Sequence, residues 1–147
     1  MGTHFHLLFR EINPGGISRF MKKLITAYAM YFNIRNHRSG ALFEGRFRAQ
    51  HITSDAHLKY LYSYIHLNPV EHIEPNWKDE GIKNLTRTMR YLTDYQYSSF
   101  LDYSGTRRPQ AAILKATDFP NYFRRKNGFI REILSWLRFH PEKPLSY

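Results

Sequence analysis

Two histidines separated by a single residue, His4 and His6, lie in the opening stretch of the chain, residues 3–9. Residues two apart on a β-strand point to the same side, so an extended strand would hold both imidazoles next to each other. The apolar residues between and after them would face the other side, toward a helical layer. Two neighbouring imidazoles can bind one divalent cation. The alternative is a strand whose two histidines are only polar residues on a wet face, since this short pattern is common by chance.

A helix that begins after Ser54 supplies further candidate residues. Ser54 is a good N-cap, and Pro69 disfavours helical geometry for the residue before it, so the helix is expected to end at Asn68. At about 100° per residue, one narrow sector of this helix collects polar and aromatic side chains. They are His57, Tyr60, Tyr64 and Asn68. The adjoining side is expected to be buried and contains Leu58, Leu61, Tyr62 and Ile65.

Together these residues could cleave a phosphodiester. A divalent ion held by His4, His6 and Asn68 would act as a Lewis acid on a phosphodiester bound beside it. Tyr64, one helical turn from Asn68, could attack the phosphorus, which forms a phosphotyrosine and frees a 3′-hydroxyl. Free tyrosine has a pKa of about 10 and is a weak nucleophile at neutral pH, so nearby cations would have to favour the phenolate. The alternative is a core tyrosine whose hydroxyl reaches solvent, and spacing alone does not select among 11 tyrosines.

The chain contains no cysteine, which excludes disulfides and thiolate zinc sites. Any metal would therefore be held by histidine, amide, carboxylate or phosphate groups, which suit Mg²⁺ or Mn²⁺.

The composition indicates a globular, strongly basic protein. Among 147 residues, 42% are hydrophobic and 16% aromatic, which is typical of one domain with a real core. The formal charge of +10 favours a polyanionic partner, nucleic acid before membrane. No segment approaches the roughly 18 apolar residues of a membrane span, and the N-terminus lacks a signal-peptide pattern. We expect a cytoplasmic, nucleoid-associated protein with no membrane partner.

The first half of the chain is predicted to contain a helix and a second strand that carry basic residues. Apolar residues recur at helical spacing over residues 16–35, and alternation over residues 46–52 predicts the strand. Two arginines on one face of that strand could clamp a phosphate, and a charged edge strand is the alternative. The candidate DNA-binding residues are Lys22, Lys23, Arg38, Arg46 and Arg48.

The second half is predicted to be mostly helical after a long polar loop over residues 70–79. A weaker helical pattern covers residues 81–92, and a turn with a short aromatic helix falls within 95–105. A final amphipathic helix is expected over residues 128–139.

Four short motifs occur in order along the first 105 residues. They are HFH at 4–6, LFEGRF at 42–47, YIHLNPV at 64–70 and YSSF at 97–100. Together they resemble the single-tyrosine HUH transposase family, particularly its REP-associated branch among the insertion-sequence transposases. The resemblance implies an α+β, ferredoxin-like HUH core, an antiparallel sheet with helices on one face, in residues 1–110, with residues 111–147 as a helical C-terminal extension. It also implies metal-binding histidines at His4 and His6, a third ligand at Asn68 and the nucleophile at Tyr64.

The activity implied by this resemblance is that of a DNA transposase, a site-specific endonuclease on single-stranded DNA. It would nick and rejoin strands, often beside a hairpin, with Mg²⁺ or Mn²⁺, and the resemblance leaves open whether it works as a monomer or a homodimer. Relatives carry a strand, a helix and a second strand before the HUH strand, so the domain is expected to be N-terminally incomplete. A truncated reading frame, a misassigned start codon or a sheet completed by another chain would each explain this.

Two other functions remain as alternatives. One is a non-catalytic, basic DNA- or RNA-binding remnant of such a transposase. The other is an RNA-associated basic protein with aromatic stacking platforms.

Overall fold

The computed structural model describes residues 4–138, which form α-helices, 3₁₀ turns and irregular segments. Within that range, residues 4–7 and 54–138 form one compact unit and residues 8–53 form another. The α-helices are α1 (Gly16–Arg35), α2 (Asp55–Leu67), α3 (Trp77–Glu80), α4 (Leu85–Asp94), α5 (Phe100–Tyr103), α6 (Asn121–Arg124) and α7 (Lys126–Arg138). The 3₁₀ turns are Asn68–His72, Pro109–Ile113 and Ala116–Asp118.

The predicted α+β fold is wrong, because no β-strand forms anywhere in residues 4–138 and a ferredoxin-like sheet is therefore absent from them. Residues 4–9 and 46–52, both predicted as strands, are irregular; Thr3, where the first prediction begins, lies outside the described residues. A strand is stable only when its backbone groups pair with a neighbour. Alternation shows which side chains share a face, but it does not provide that neighbour.

Helix α2 begins as the sequence predicts and ends one residue before the predicted end at Asn68. The hydroxyl of Ser54 accepts a hydrogen bond from the backbone N–H of His57 at 3.2 Å, which caps the first turn. Asp55 follows in that turn, where a negative charge complements the helix dipole. The α-helix stops at Leu67, and the chain continues through Asn68 and Pro69 as a 3₁₀ turn. The two helical forms are continuous, so Asn68 lies one turn beyond Tyr64.

The buried face of α2 is displaced from its predicted position. The buried residues are Tyr62, Ser63, His66 and Leu67, whereas Leu58, Leu61 and Ile65 remain partly exposed. The reason is the packing of α2 against the C-terminal helices. The ring of Tyr62 stacks on Phe123 of α6 at 3.8 Å between centroids, and Phe129 of α7 lies 5.1 Å from the ring of His66.

The core of this unit combines residues from α2 with aromatic and aliphatic residues from the last third of the chain. Phe100, Phe123, Phe129 and Ile133 are fully buried. An aromatic core of this kind removes a large apolar area from water, and burial of each such side chain contributes about 1.5–3 kcal/mol. The C-terminal helices therefore belong to the same core as α2.

An ion pair fixes the segment between α4 and α5. The guanidinium of Arg108 donates to both carboxylate oxygens of Asp102, at 2.9 and 2.5 Å, and to the backbone oxygens of Gln96 and Ser98. Both charged side chains are largely buried, so each depends on the other for its polar contacts.

Helix α1 confirms the helical pattern over residues 16–35. It begins after Gly15, whose φ of 72° is a left-handed conformation that glycine adopts without strain. Only Met21 of this helix is buried, while Phe20 and Tyr28 are each 49% exposed. The unit formed by residues 8–53 thus has a small core.

Other elements differ from the predictions in their bounds. The loop predicted over residues 70–79 contains part of a 3₁₀ turn and the start of α3. The helix predicted over residues 81–92 begins later, at Leu85, because the side chain of Asn84 caps it by accepting from the N–H of Arg87. The short aromatic helix within 95–105 is α5, and the final helix is α7. Phe139, where that last prediction ends, lies outside the described residues. In residues 4–138 no helix is long and apolar enough to cross a membrane.

Candidate active site

The two histidines at the start of the chain lie side by side even without a strand. The ring centroids of His4 and His6 are 5.0 Å apart, with the rings nearly perpendicular. His4 is exposed and His6 is half-buried. The Nε2 atom of His6 is buried and has no hydrogen-bond partner among the described residues. Burial lowers the pKa of His6, and the neighbouring charges of His4 and Lys78 lower it further against an opposing effect of Glu71. A neutral imidazole with an uncommitted nitrogen is the form that binds metal ions.

Tyr64 of α2 lies against this imidazole pair. Its ring is 5.8 Å from that of His6 in an edge-to-face arrangement, and on its other side Tyr60 stacks at 6.0 Å. Residues four apart on a helix are neighbours, which explains why Tyr60 and Tyr64 meet as the spacing predicts. Tyr64 is half-buried, in contrast to the buried Tyr62.

A lysine and a glutamate that the sequence did not single out complete the surroundings of Tyr64. The ammonium nitrogen of Lys78 lies 3.5 Å from the hydroxyl oxygen of Tyr64, 5.0 Å from its ring centroid and 2.6 Å from a carboxylate oxygen of Glu71. Burial acts to lower the pKa of Lys78, but its hydrogen bond to Glu71 and its interactions with Tyr64 and Glu71 outweigh burial and raise it. Lys78 is therefore a fixed cation beside the phenol at neutral pH.

Sequence patterns could not have identified Lys78 and Glu71. Both come from the stretch predicted as a loop, where no helical or strand periodicity links them to Tyr64. Glu71 directly follows the YIHLNPV motif, and Lys78 lies in the short helix α3. Their proximity to Tyr64 results from the 3₁₀ turn at Asn68–His72, which reverses the chain after α2.

Asn68, the predicted third ligand, lies one helical turn beyond Tyr64 and is buried. In the part of the chain that the structure describes, no three His, Asp or Glu side chains group together to hold a metal ion. A metal at this site would therefore need amide or substrate oxygens besides the two imidazoles. Amide and substrate oxygens suit Mg²⁺ or Mn²⁺, whereas imidazole nitrogens favour transition metals.

Two other tyrosines near this site are poor nucleophiles. Burial raises the pKa of Tyr62, and Tyr103 beside it raises it further, so Tyr62 is a neutral core residue. Burial also raises the pKa of Tyr122, whose hydroxyl donates a hydrogen bond to the carboxylate of Asp55. Tyr64 differs from these two in its contacts with His6 and Lys78.

The predicted DNA-binding residues all lie in the other unit, residues 8–53. Lys22 and Lys23 are exposed on α1, and Arg46 and Arg48 are exposed in the irregular segment that replaces the predicted strand. A paired arginine clamp was expected because both side chains would share one face of a strand, and residues 46–52 form no strand. Both side chains are nonetheless exposed to solvent. The guanidinium of Arg38 lies 5.7 Å from the ring centroid of Phe32 and donates to the backbone oxygen of Ala41 at 3.2 Å.

Comparisons with known proteins give no family assignment. No protein-family model matches the chain, and no curated protein or solved structure matches it significantly.

Proposed function

We propose that this protein cleaves and rejoins single-stranded DNA through a phosphotyrosine at Tyr64, the chemistry of a transposase. The observation that carries the proposal is the environment of that phenol. It contacts the imidazole pair through His6 on one side and has the Lys78 ammonium within 3.5 Å of its hydroxyl oxygen. The motif resemblance adds to the proposal, because it selects His4, His6 and Tyr64 independently of these distances.

The proposal includes a divalent metal ion. His4, His6 and Asn68 would hold Mg²⁺ or Mn²⁺, which would polarise a phosphodiester and stabilise the charge that develops on it. The Nε2 of His6 fits this role, because it is buried with no hydrogen-bond partner among the described residues and such an atom is normally bound by water or an ion.

The reaction itself uses the chain's own groups. The phenol oxygen of Tyr64 forms a bond to phosphorus, and the bond from phosphorus to the 3′-oxygen breaks. The phenol loses one proton, and the released 3′-oxygen gains one to become a hydroxyl. Lys78 orients the phenol and offsets negative charge on the transferred phosphate, while Glu71 fixes Lys78. Because the phosphotyrosine keeps the ester bond energy, a 3′-hydroxyl can attack it in reverse and join another strand.

A second candidate function is binding of nucleic acid without cleavage. It is favoured by the exposed basic residues of the other unit, which would contact phosphates whether or not Tyr64 reacts. Binding alone would require no metal and would not depend on the Tyr64 hydroxyl.

The test is covalent trapping on single-stranded DNA. The full chain is incubated with labelled hairpin-containing oligonucleotides with Mn²⁺, with Mg²⁺ or with chelator, and denaturing electrophoresis detects a protein–DNA adduct. We expect an adduct that requires metal and disappears in Tyr64→Phe. Tyr97→Phe is the matched control, since Tyr97 is 89% exposed and lies outside the site.

The proposal fails if no oligonucleotide gives an adduct, or if the adduct persists in Tyr64→Phe. An adduct that is lost in Tyr60→Phe but kept in Tyr64→Phe would move the nucleophile one turn along α2 and would likewise overturn the assignment of Tyr64. Peptide mapping of the adduct distinguishes these cases directly.

A further inference from the structure

A row of aromatic rings leads from the candidate active site to the C-terminal helix α7. The ring of Tyr60 stacks on Tyr64 at 6.0 Å and contacts the indole of Trp136 at 5.3 Å between centroids. With His6 against the far side of Tyr64, four rings are in consecutive contact. Tyr60 and Trp136 are both partly exposed, so each still offers some ring surface to a ligand.

A basic cavity lies where α6 meets the start of α7, the helix that also carries Trp136. It is open, has a volume of about 400 Å³, and is lined by Tyr122 together with Arg125, Lys126 and Arg131. All three basic residues come from the segment that joins α6 to α7 or from α7 itself. A cavity of this size with three cations fits a phosphate group and part of a nucleotide better than an apolar ligand.

Helix α2 connects the cavity to the aromatic row. The ammonium nitrogen of Lys59 lies 4.5 Å from the ring centroid of Tyr122, which lines the cavity, and the next residue, Tyr60, belongs to the row. Asp55 of the same helix accepts the hydrogen bond from Tyr122 and holds that wall in place. Helix α2 thus carries residues of both features, and the ring row and the cavity together are taken as one candidate surface.

We propose that this surface binds the nucleotides that flank the reactive phosphodiester, with bases on Tyr60 and Trp136 and a phosphate in the cavity of Arg125, Lys126 and Arg131. Stacking on aromatic rings next to a basic groove is the general way in which proteins hold single strands without reading their sequence. The inference deepens the proposed function and rests on it for the purpose of the bound strand. It assigns a role in strand binding to the C-terminal segment, which carries none of the motifs described above.

The spectroscopic test uses the fact that the chain has two tryptophans. In a Trp77→Phe background, Trp136 is the sole tryptophan. The indole N–H of Trp77 is buried without a hydrogen-bond partner in the described residues, so replacing Trp77 with phenylalanine breaks no hydrogen bond of that group there. With chelator present to prevent cleavage, a short oligothymidylate is titrated into the protein. We expect Trp136 fluorescence to be quenched by the oligonucleotide and left unquenched by an abasic strand of equal length.

Affinity measurements test the cavity separately. By anisotropy of a labelled strand, Trp136→Leu should weaken binding about tenfold through lost stacking. Arg125→Ala with Arg131→Ala should weaken it further and reduce the slope of log K against log salt by about 0.7 per phosphate contact removed. Arg125→Ala and Arg131→Ala are also made singly, and Arg90→Ala, at an exposed arginine of α4 outside the cavity, is the charge-matched control for each of them.

The possible results separate this inference from the proposed function. Quenching without a Tyr64 adduct would support the strand-binding surface and reject the nuclease. An adduct together with an unquenched Trp136 would support the nuclease and overturn this inference. Equal quenching by the abasic strand, or cavity variants no weaker than Arg90→Ala, would also overturn it.

Discussion

Lys78 is the residue whose charge matters most for the proposed chemistry at the scale of single side chains. Its ammonium is held 2.6 Å from Glu71 and 3.5 Å from the hydroxyl oxygen of Tyr64. A positive charge fixed beside the reacting oxygen stabilises the transition state without paying for reorganisation of solvent. Glu71 holds that charge in place, so the position of the charge depends on both residues.

We therefore expect Lys78→Met, which keeps the aliphatic stem and removes the charge, to slow formation of the Tyr64 adduct about 10- to 100-fold at saturating DNA. The dissociation constant for the strand should change much less, because Lys78 acts on the reacting oxygen. Lys78→Arg should recover part of the rate. Single-turnover kinetics and anisotropy measure the two quantities separately.

Lys83→Met is the control for this prediction. Lys83 also forms an ion pair, with Glu80 at 2.6 Å, but it is well exposed. Equal rates for the Lys78 and Lys83 variants, or a Lys78→Met defect confined to DNA affinity, would show that Lys78 does not position the phenol.

At the scale of elements, His66 connects α2 to the start of α5. Its Nδ1 pairs with the backbone oxygen of Tyr62 at 2.7 Å, and its Nε2 pairs with the hydroxyl of Ser99 at 2.8 Å. Burial lowers the pKa of His66 to about 4, against smaller raising effects of Tyr62 and Asp102, so the imidazole is neutral at neutral pH. The neutral tautomer that fits both contacts carries its proton on Nδ1. Nδ1 then donates to the backbone oxygen of Tyr62 and Nε2 accepts from the hydroxyl of Ser99, so both ring nitrogens have a hydrogen-bond partner.

Removing the Ser99 hydroxyl should therefore destabilise the protein. Ser99→Ala leaves the Nε2 of His66 buried without a partner, which we expect to reduce the free energy of unfolding by about 1–3 kcal/mol. Ser135→Ala is the control, because the hydroxyl of exposed Ser135 bonds only to its own helix at Glu132, and the expected change is within about 0.5 kcal/mol. Urea denaturation followed by circular dichroism measures both. A Ser99→Ala protein as stable as Ser135→Ala would contradict the link.

The sequence predicts the helices correctly and the sheet wrongly, for a physical reason. Helices such as α1 and α2 are specified locally by apolar spacing, by the Ser54 cap and by Pro69. A strand at residues 4–9 would need a partner that local alternation cannot provide. The residues of the candidate site follow the same division: Tyr60 and Tyr64 meet as helical spacing predicts, whereas Lys78 reaches Tyr64 only through the turn after α2.

At the scale of the whole chain, basic charge and apolar core are distributed unequally. The unit of residues 8–53 holds a large share of the excess positive charge and buries only Met21 among the hydrophobic core residues. Its charged residues are Arg10, Arg19, Lys22, Lys23, Arg35, Arg38, Arg46 and Arg48 against Glu11 and Glu44. The other unit holds the aromatic core and both proposed sites. A large share of the excess positive charge and the proposed site at Tyr64 thus lie in different units of the chain.

This division predicts unequal local stability, which hydrogen exchange can measure. Protection of a helix comes mainly from tertiary packing, and a helix with one buried residue opens more easily than one inside a core. We expect backbone amides of α1 to exchange at least about tenfold faster than those of α2 and α7, where Tyr62, Phe129 and Ile133 are buried. Exchange mass spectrometry on peptides from each helix, with the denatured chain as the reference for intrinsic rates, gives the comparison. Equal protection of α1 and α2 would contradict this expectation and would show that another surface covers the apolar side chains of α1 in solution.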